Sequence, residues 1–324
     1  MNADSSNASN TNATDAPDAS DSQDEDAPID SSAPGWFRRA IENRPQRRTV
    51  SVDGCDINYL LWGEPNRPGV VLVHGGAAHA HWWSHIAPML LGDYSVAALD
   101  MSGAGDSGRR ESYSLDHWSD EVVAVGSDAG FAGPPVVVGH SMGGFVSLNA
   151  AARHCDEIGG IVIIDSPVKE PDPEVTEGKH GQSFREPKTY PSRQVAVARF
   201  RTVPAQRFYE PYIMANVGWH SLTEVEAGWT WKFDPKVFFA PSRRHEAADL
   251  LPLVNCRVAL LRAEHGLVTP TIGDYMYERL GRVAPVIEIP TAGHHPMLDV
   301  PLLLITGLRT LLADWDHSAP LNRN

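Results

Sequence analysis

The sequence predicts an α/β fold, in which helices cover both faces of a mostly parallel sheet and one insertion forms a cap. Three observations predict it. Short apolar runs of strand length recur at Gly69–Val73, Ser95–Leu99, 136–138, Gly160–Ile164 and 258–261, without the polar alternation of a half-exposed strand. Helical stretches separate them, as parallel pairing requires, because each parallel neighbour needs a crossover. The alternation then stops at Asp165, gives way to about 80 residues rich in Pro, aromatics and mixed charge, and resumes near 258.

Each element has a local reason. Residues 1–33 are mostly Asn, Ser, Thr, Asp and Ala, too poor in apolar groups to repay the entropy of ordering, so a disordered acidic tail is expected. Residues 48–52 and 57–61 read as strands joined through Asp53-Gly54, a strong hairpin signal. After the strand at 69–73 comes an expected helix over 81–91, then the strand at 95–99. Pro134-Pro135 introduces strand 136–138 at its first residues, where a missing N–H is tolerated. A small-residue helix over 145–154 and the strand at 160–164 follow. Within 166–244 only weak helical patterns show, at 193–208 and 222–228. Strand 258–261, helix 272–280, strand 285–289 and a closing amphipathic helix over 301–315 complete the chain. The expected organisation is therefore one core, 34–165 and 245–324, carrying a cap at 166–244.

Composition narrows the function. The chain of 324 residues has 27 Lys and Arg against 41 Asp and Glu, a net charge of −14. Eight of the acids precede the first base, Arg38, so the body carries only about −6. No basic footprint exists to meet phosphates, so nucleic acid is not an expected partner. No run of 18 apolar residues suggests a membrane span. Cys55, Cys155 and Cys256 form neither a disulfide framework nor a metal knuckle, and no cofactor or metal is expected. The start lacks the basic and apolar regions of a secretory signal, which favours a cytoplasmic location. Composition leaves the oligomeric state open.

The chemistry concentrates in three loops. Gly139-x-Ser141-x-Gly143 lies between a strand and a helix, the context in which such a turn lifts a serine hydroxyl clear of the sheet edge. It also leaves the next N–H, that of Met142, at a helix N-terminus facing an incoming oxyanion. In His74-Gly75-Gly76-Ala77, a strand ends in glycines that expose backbone N–H groups; Gly76 is the expected second donor, with Ala77 the alternative. His74 reads as a brace for this loop. The same glycines lack the Gly-Lys-Ser/Thr of a phosphate loop. Late in the chain, Gly293-His294-His295-Pro296 follows the last strand, placing an imidazole at the same sheet edge to move the serine proton. His294 is the expected base and His295 a packing neighbour; residues adjacent in sequence make a poor metal chelate.

These residues together resemble the α/β-hydrolase family, over about residues 46–316. The resemblance rests on His74-Gly75-Gly76, on Asp100-Met101-Ser102-Gly103-Ala104-Gly105-Asp106-Ser107, on the Ser141 elbow and on Gly293-His294. It implies an eight-stranded, mostly parallel sheet with a cap between its sixth and seventh strands, and it makes Asp100 and Asp106 loop-shaping acids. One position departs from the family pattern. Relatives commonly place a glycine after the strand matching 258–261 and the catalytic Asp three residues later; here those places hold Ala263 and Gly266. Asp165, at the end of the strand beside the nucleophile strand, is the preferred acid, and Glu264 is the alternative.

A serine at the elbow argues against the dehalogenases and epoxide hydrolases of this fold, which attack carbon with a carboxylate; a serine would leave an alkyl ether that water does not open. Acyl transfer suits it, so the expected activity is hydrolysis of a small to medium, largely apolar carboxylic ester through an acyl-enzyme. A carbon–carbon bond hydrolase or acyltransferase of the same fold is the alternative within enzymes, and a noncatalytic receptor or scaffold the alternative outside them. Trp82 and Trp83 beside the glycine loop, with Trp229 and Trp231 in the cap, are the candidate pocket walls. Arg199, Arg201 and Lys232 read either as a clamp for a carboxylate or as surface residues. An organophosphonate is expected to label one serine, Ser141, by peptide mass mapping; labelling elsewhere would remove the nucleophile assignment.

Overall fold

The computed structural model describes residues 27–168, 187–238 and 244–318. Residues 1–26 of the expected tail at 1–33, and 169–186 and 239–243 of the expected cap, lie outside the described residues. An eight-stranded sheet organises the core. Its first two strands, β1 (Gln46–Val52) and β2 (Cys55–Trp62), pair antiparallel with Val52 opposite Cys55. The two-residue loop between them needs positive φ at both positions, and Asp53 (48°) and Gly54 (74°) supply it. The remaining strands are β3 (Gly69–Val73), β4 (Ser95–Leu99), β5 (Val136–His140) and β6 (Gly160–Ile164), and, beyond a cap hairpin of β7 (Leu222–Val225) and β8 (Gly228–Trp231), β9 (Arg257–His265) and β10 (Val286–Gly293). The spatial order is β1-β2-β4-β3-β5-β6-β9-β10; β2 meets β4 antiparallel, and every pair from β4 to β10 is parallel.

Strand pleating sends alternate residues into two cores. Val71 and Val73 of β3 face one, with α2 (Leu115–Asp128), α3 (Met142–Arg153), α6 (Arg244–Leu250) and α7 (Pro270–Arg279). Val70 and Leu72 face the other, with α1 (Gly35–Glu42) and α9 (Pro301–His317). The cap leaves the sheet after β6 and carries α4 (Arg193–Val197), α5 (Pro211–His220) and the β7–β8 hairpin; a short helix, α8 (Pro296–Asp299), precedes α9.

Local chemistry explains where the structure departs from the sequence reading. The expected helix over 81–91 is two 3-10 turns, Ala80–Trp83 and Ala87–Leu90. Pro88 withholds an N–H inside the segment, and the first turn is pinned by Asp100, whose Oδ1 accepts from the Ala80 N–H at 2.6 Å. The weak helical pattern over 222–228 is instead part of the β7–β8 hairpin. Leu222 and Val225 have helical spacing, but Thr223, Trp229, Thr230 and Trp231 favour strand, and Gly228 turns at φ 125°. Only 193–197 of the weak pattern over 193–208 is helical. Helices α1, α2 and α5 were not evident from the sequence, although Ser114 caps α2 by accepting from the His117 N–H.

The N-terminal segment is tied to the cap. Ala33 and Phe37 are buried, and the Phe37 ring meets Tyr212 of α5 at 4.8 Å in an edge contact, with Trp36 alongside at 6.5 Å. Removing residues 1–26 is expected to leave the melting midpoint within a few degrees, because their composition offers little to bury. Phe37→Ala is expected to cost about 3–5 kcal/mol in a urea melt; equal sensitivity of the two changes would contradict this assignment of where the N-terminal stability lies.

Candidate active site

Four neighbouring strands end side by side and build the site: β5, β6, β9 and β10. Ser141 follows β5 in a left-handed conformation (φ 53°, ψ −117°), its N–H donating to the Ile164 carbonyl at 3.0 Å. Asp165 follows β6, also left-handed (φ 45°), its N–H donating to the Leu261 carbonyl of β9 at 2.8 Å. His294 follows β10. Seven non-glycine residues among those described have positive φ, and three of them, Ala77, Ser141 and Asp165, surround this point. Such conformations cost energy and persist only where the surroundings enforce them.

The side chains form a continuous hydrogen-bonded line. Ser141 Oγ lies 3.1 Å from His294 Nε2, and His294 Nδ1 lies 2.7 Å from Asp165 Oδ2. Ser141 is half-buried, whereas His294 and Asp165 are buried. Glu264, the alternative acid, is exposed and accepts from the Thr291 N–H at 2.7 Å. The Asp165 carboxylate also accepts from the N–H groups of Leu267 (2.7 Å), Val268 (3.1 Å) and Ala263 (3.3 Å). Burial alone would raise its pKa, but the His294 bond and these amides outweigh burial and hold it below the usual carboxylate range. The same crowding accounts for Gly266: a Cβ there would overlap the Asp165 carboxylate. The volume an acid at 266 would occupy is filled by one arriving from β6.

The glycine loop presses on the nucleophile. A Cβ at Gly75 would sit 3.1 Å from His140 Nδ1 and 3.2 Å from Ser141 Cβ, and one at Gly143 would overlap the Val73 carbonyl. Gly76 lies under Phe238 of the cap, where a Cβ would come within 3.1 Å of the ring. Ala77 takes a φ of 57°, and Met142 begins α3. His74 braces the loop: its Nε2 accepts from the Met101 N–H (3.0 Å) and its Nδ1–H donates to the Gly75 carbonyl (2.7 Å). Burial pushes His74 down to about 4, so it is neutral at pH 7. Asp100 accepts from Ala80 and Asp106 backbone N–H groups and from Asn58 Nδ2, and Asp106 pairs with Arg47 (2.7 Å) and Lys232 (2.6 Å). Lys232 is thereby committed, while Arg199 and Arg201 are exposed.

Sequence reasoning missed the supports of the base loop. His140 Nε2–H donates to the His294 carbonyl at 2.7 Å; Gln206 of the cap accepts from the His295 N–H (2.8 Å) and donates to its carbonyl (3.2 Å). Asp299 accepts from the Gly293 N–H at 2.6 Å. No sequence signal marks Gln206, whereas the position of His140 beside Ser141 could have drawn attention. His140, His294 and His295 bring potential ligand nitrogens within 4.8 Å of one another. A metal drawing on His294 there would compete with Ser141 or Asp165 for its nitrogens.

Of the proposed walls, Trp82 meets Phe200 of the cap (ring centroids 6.2 Å apart), and Phe200 meets Trp231 (5.8 Å). Trp229 lies under the Arg193 guanidinium, and Trp83 is fully buried in the second core. Phe208 and Tyr209 of the cap are exposed.

Residues 70–305 match the Alpha/beta hydrolase family. The chain belongs to that family. As a family member, it is 26% identical over 279 residues to Esterase Rv0045c of Mycobacterium tuberculosis, covering 83% of this chain and 91% of that one. It is 33% identical over 127 residues to Epoxide hydrolase A of the same organism, covering 38% of this chain and spanning only 39% of that protein's length. The thioesterase domain from the curacin biosynthetic pathway superposes with a TM-score of 0.69 at 20% identity, covering 84% of this chain and all of that one, a likeness of fold. No helix among the described residues of this hydrolase-family chain is long and apolar enough to cross a membrane.

Asp299 gives a pH prediction. Burial, opposed by the backbone N–H groups around it, pushes its carboxyl up to about 6. An unfolded Asp loses its proton near pH 4, so the fold binds the extra proton between about pH 4 and 6, and stability from this group falls as pH rises through that window. Asp299→Asn removes the titration. The variant's stability relative to wild type is expected to improve by about 1–2 kcal/mol from pH 4 to pH 7; a pH-independent difference would contradict the shift.

Proposed function

We propose that this chain hydrolyses carboxylic esters of small to medium, largely apolar substrates through a serine acyl-enzyme. The unbroken line Ser141–His294–Asp165 carries the reading, because its hydrogen bonds already have the polarity the reaction needs. His294 Nδ1–H donates to Asp165, leaving Nε2 as the acceptor for the serine proton. Ser141 Oγ attacks the ester carbonyl as Nε2 takes its proton. The Met142 N–H and that of Gly76, with Ala77 the alternative, receive the oxyanion, each such donor worth about 3 kcal/mol. His294 then protonates the departing alcohol, and water releases the acid by the same steps. Asp165 keeps the tautomer and stabilises the imidazolium; it need not take the proton.

The aromatic wall from Trp82 through Phe200 to Trp231 supports an apolar substrate, and the serine at the elbow favours acyl transfer over epoxide opening. Cys55 and Cys155 are in no disulfide, which suits the cytoplasmic location proposed for the chain. Asp165→Asn is expected to lower kcat by roughly two orders of magnitude or more, and Glu264→Gln by less than about one, with folding of both checked by circular dichroism. The reverse ranking would move the acid to Glu264. Turnover along a straight-chain acyl series is expected to peak at one length; a profile that simply parallels hydroxide hydrolysis would contradict a shaped pocket.

A further inference from the structure

A buried polar atom without a partner costs stability unless something bound satisfies it, and such atoms are rare in folded proteins. Several lie on the wall beside the base. Both ring nitrogens of His295 and the indole Nε1 of Trp82 are shielded from solvent and make no hydrogen bond. The two rings are in contact, their centroids 5.3 Å apart and their planes at 57°. His295 also lies against His294 (4.6 Å) and His140 (5.3 Å), while Trp82 leads through Phe200 to the cap. From the base to Trp231 this wall is a run of rings, polar at Trp82 and His295.

Both side chains are held in place. Gln206 fixes the His295 backbone through its N–H and its carbonyl, and the turn carrying Trp82 is anchored by the Ala80–Asp100 bond. Neither group is charged. Burial, reinforced by His140 and His294 nearby, pushes His295 well below the ordinary imidazole range; the Pro204 carbonyl opposes this without hydrogen-bond geometry to either nitrogen. The pair therefore offers two N–H donors and one nitrogen lone pair.

We propose that Trp82 and His295 form a polar subsite that hydrogen-bonds an uncharged oxygen, a hydroxyl or keto group, on the acyl part of the ester. The inference rests on the ester-hydrolase reading above and names its substrate class: oxygenated acyl esters in preference to plain alkyl ones. A plain hydrocarbon chain would leave these polar atoms unpaired, and that asymmetry is what makes a hydrogen-bonding pocket discriminate strongly. A hydroxyl suits the pair best, since it both accepts and donates. A carboxylate would bring a charge against two neutral rings.

The test compares kcat/KM for p-nitrophenyl pentanoate and hexanoate with their hydroxy and keto counterparts, the oxygen moved from C3 to C5, and with the p-nitrophenyl monoester of glutaric acid. At least one oxygenated ester is expected to exceed its alkyl match by about tenfold or more, after correction for its p-nitrophenol release without enzyme, ring closure to lactone or anhydride included. Trp82→Phe, which keeps the indole's bulk in part but removes the N–H, and His295→Phe are each expected to bring that ratio toward one. Ratios within about twofold throughout, a preference for the carboxylate ester, or a preference that survives both substitutions would overturn the subsite while leaving the hydrolase reading intact. The wild-type ratios alone decide the matter if either variant fails to fold. Absence of turnover on every ester would instead overturn the hydrolase reading, and the subsite with it.

Discussion

The arrangement of this site depends on one buried carboxylate. Asp165 stands at the end of β6, almost without solvent contact, where an ionised group is costly unless it is paired and hydrogen-bonded. Its requirements explain features that otherwise look unrelated. The amide of Ala263 near the end of β9 and those of Leu267 and Val268 in the loop after it converge on it. Position 266 is glycine because the carboxylate occupies the space a side chain would need. The remaining hydrogen bond goes to His294, which is thereby oriented toward Ser141. The strand order makes this possible: β9 lies between β6 and β10, so a carboxylate on β6 reaches a histidine on β10 across the end of β9, and the loop after β9 supplies amides in place of an acid.

What was legible in the sequence was what backbone geometry forces. Asp53-Gly54 supplies the positive φ that a two-residue hairpin loop needs, and the GxSxG turn announces itself because its glycines meet backbone on both sides, as Gly143 meets the Val73 carbonyl. The displaced acid was legible as a departure: glycine at 266 and a lone Asp closing an apolar strand. The supports were not. Gln206 acts across 89 residues of chain on the backbone of His295, and no local pattern encodes such a contact. The hairpin at 222–231 was obscured because Leu222 and Val225 have helical spacing, while the strand preference of Trp229 to Trp231 lies just beyond the window that spacing suggests. The 80–90 segment is buried on most sides, so it shows neither period.

The cap is fastened to the core in two chemically different ways. Along one edge the ties are polar: Lys232 to Asp106, Tyr113 Oη–H to Asp234 at 2.9 Å, His79 Nε2 to Ser221 Oγ at 2.8 Å, and backbone bonds between Gly103 and Asp234 and between Gly105 and Lys232. Along the other, α5 packs Tyr212 onto Trp36 and Phe37, and Ile213 and Val217 enter the second core. Polar ties specify geometry more than they add stability, whereas the aromatic contacts carry the burial.

These fastenings bear on how the loops of the site are held. Asp106 joins β1 to the cap through Arg47 and Lys232 at once, and its neighbour Asp100 organises the turn carrying Trp82. Gln206 carries the cap's other end onto the base loop. The cap therefore touches both sides of the Ser141–His294 line: Phe238 lies over the glycine loop on one side and Gln206 grips His295 on the other. A cap joined at both sides acts less as a detachable lid than as part of the frame that fixes the distance between donor loop and base. Substrate fit and the geometry of the hydrogen-bonded line are then linked through the same residues, because the uncharged Gln206 of the cap holds the backbone of His295, next to the base.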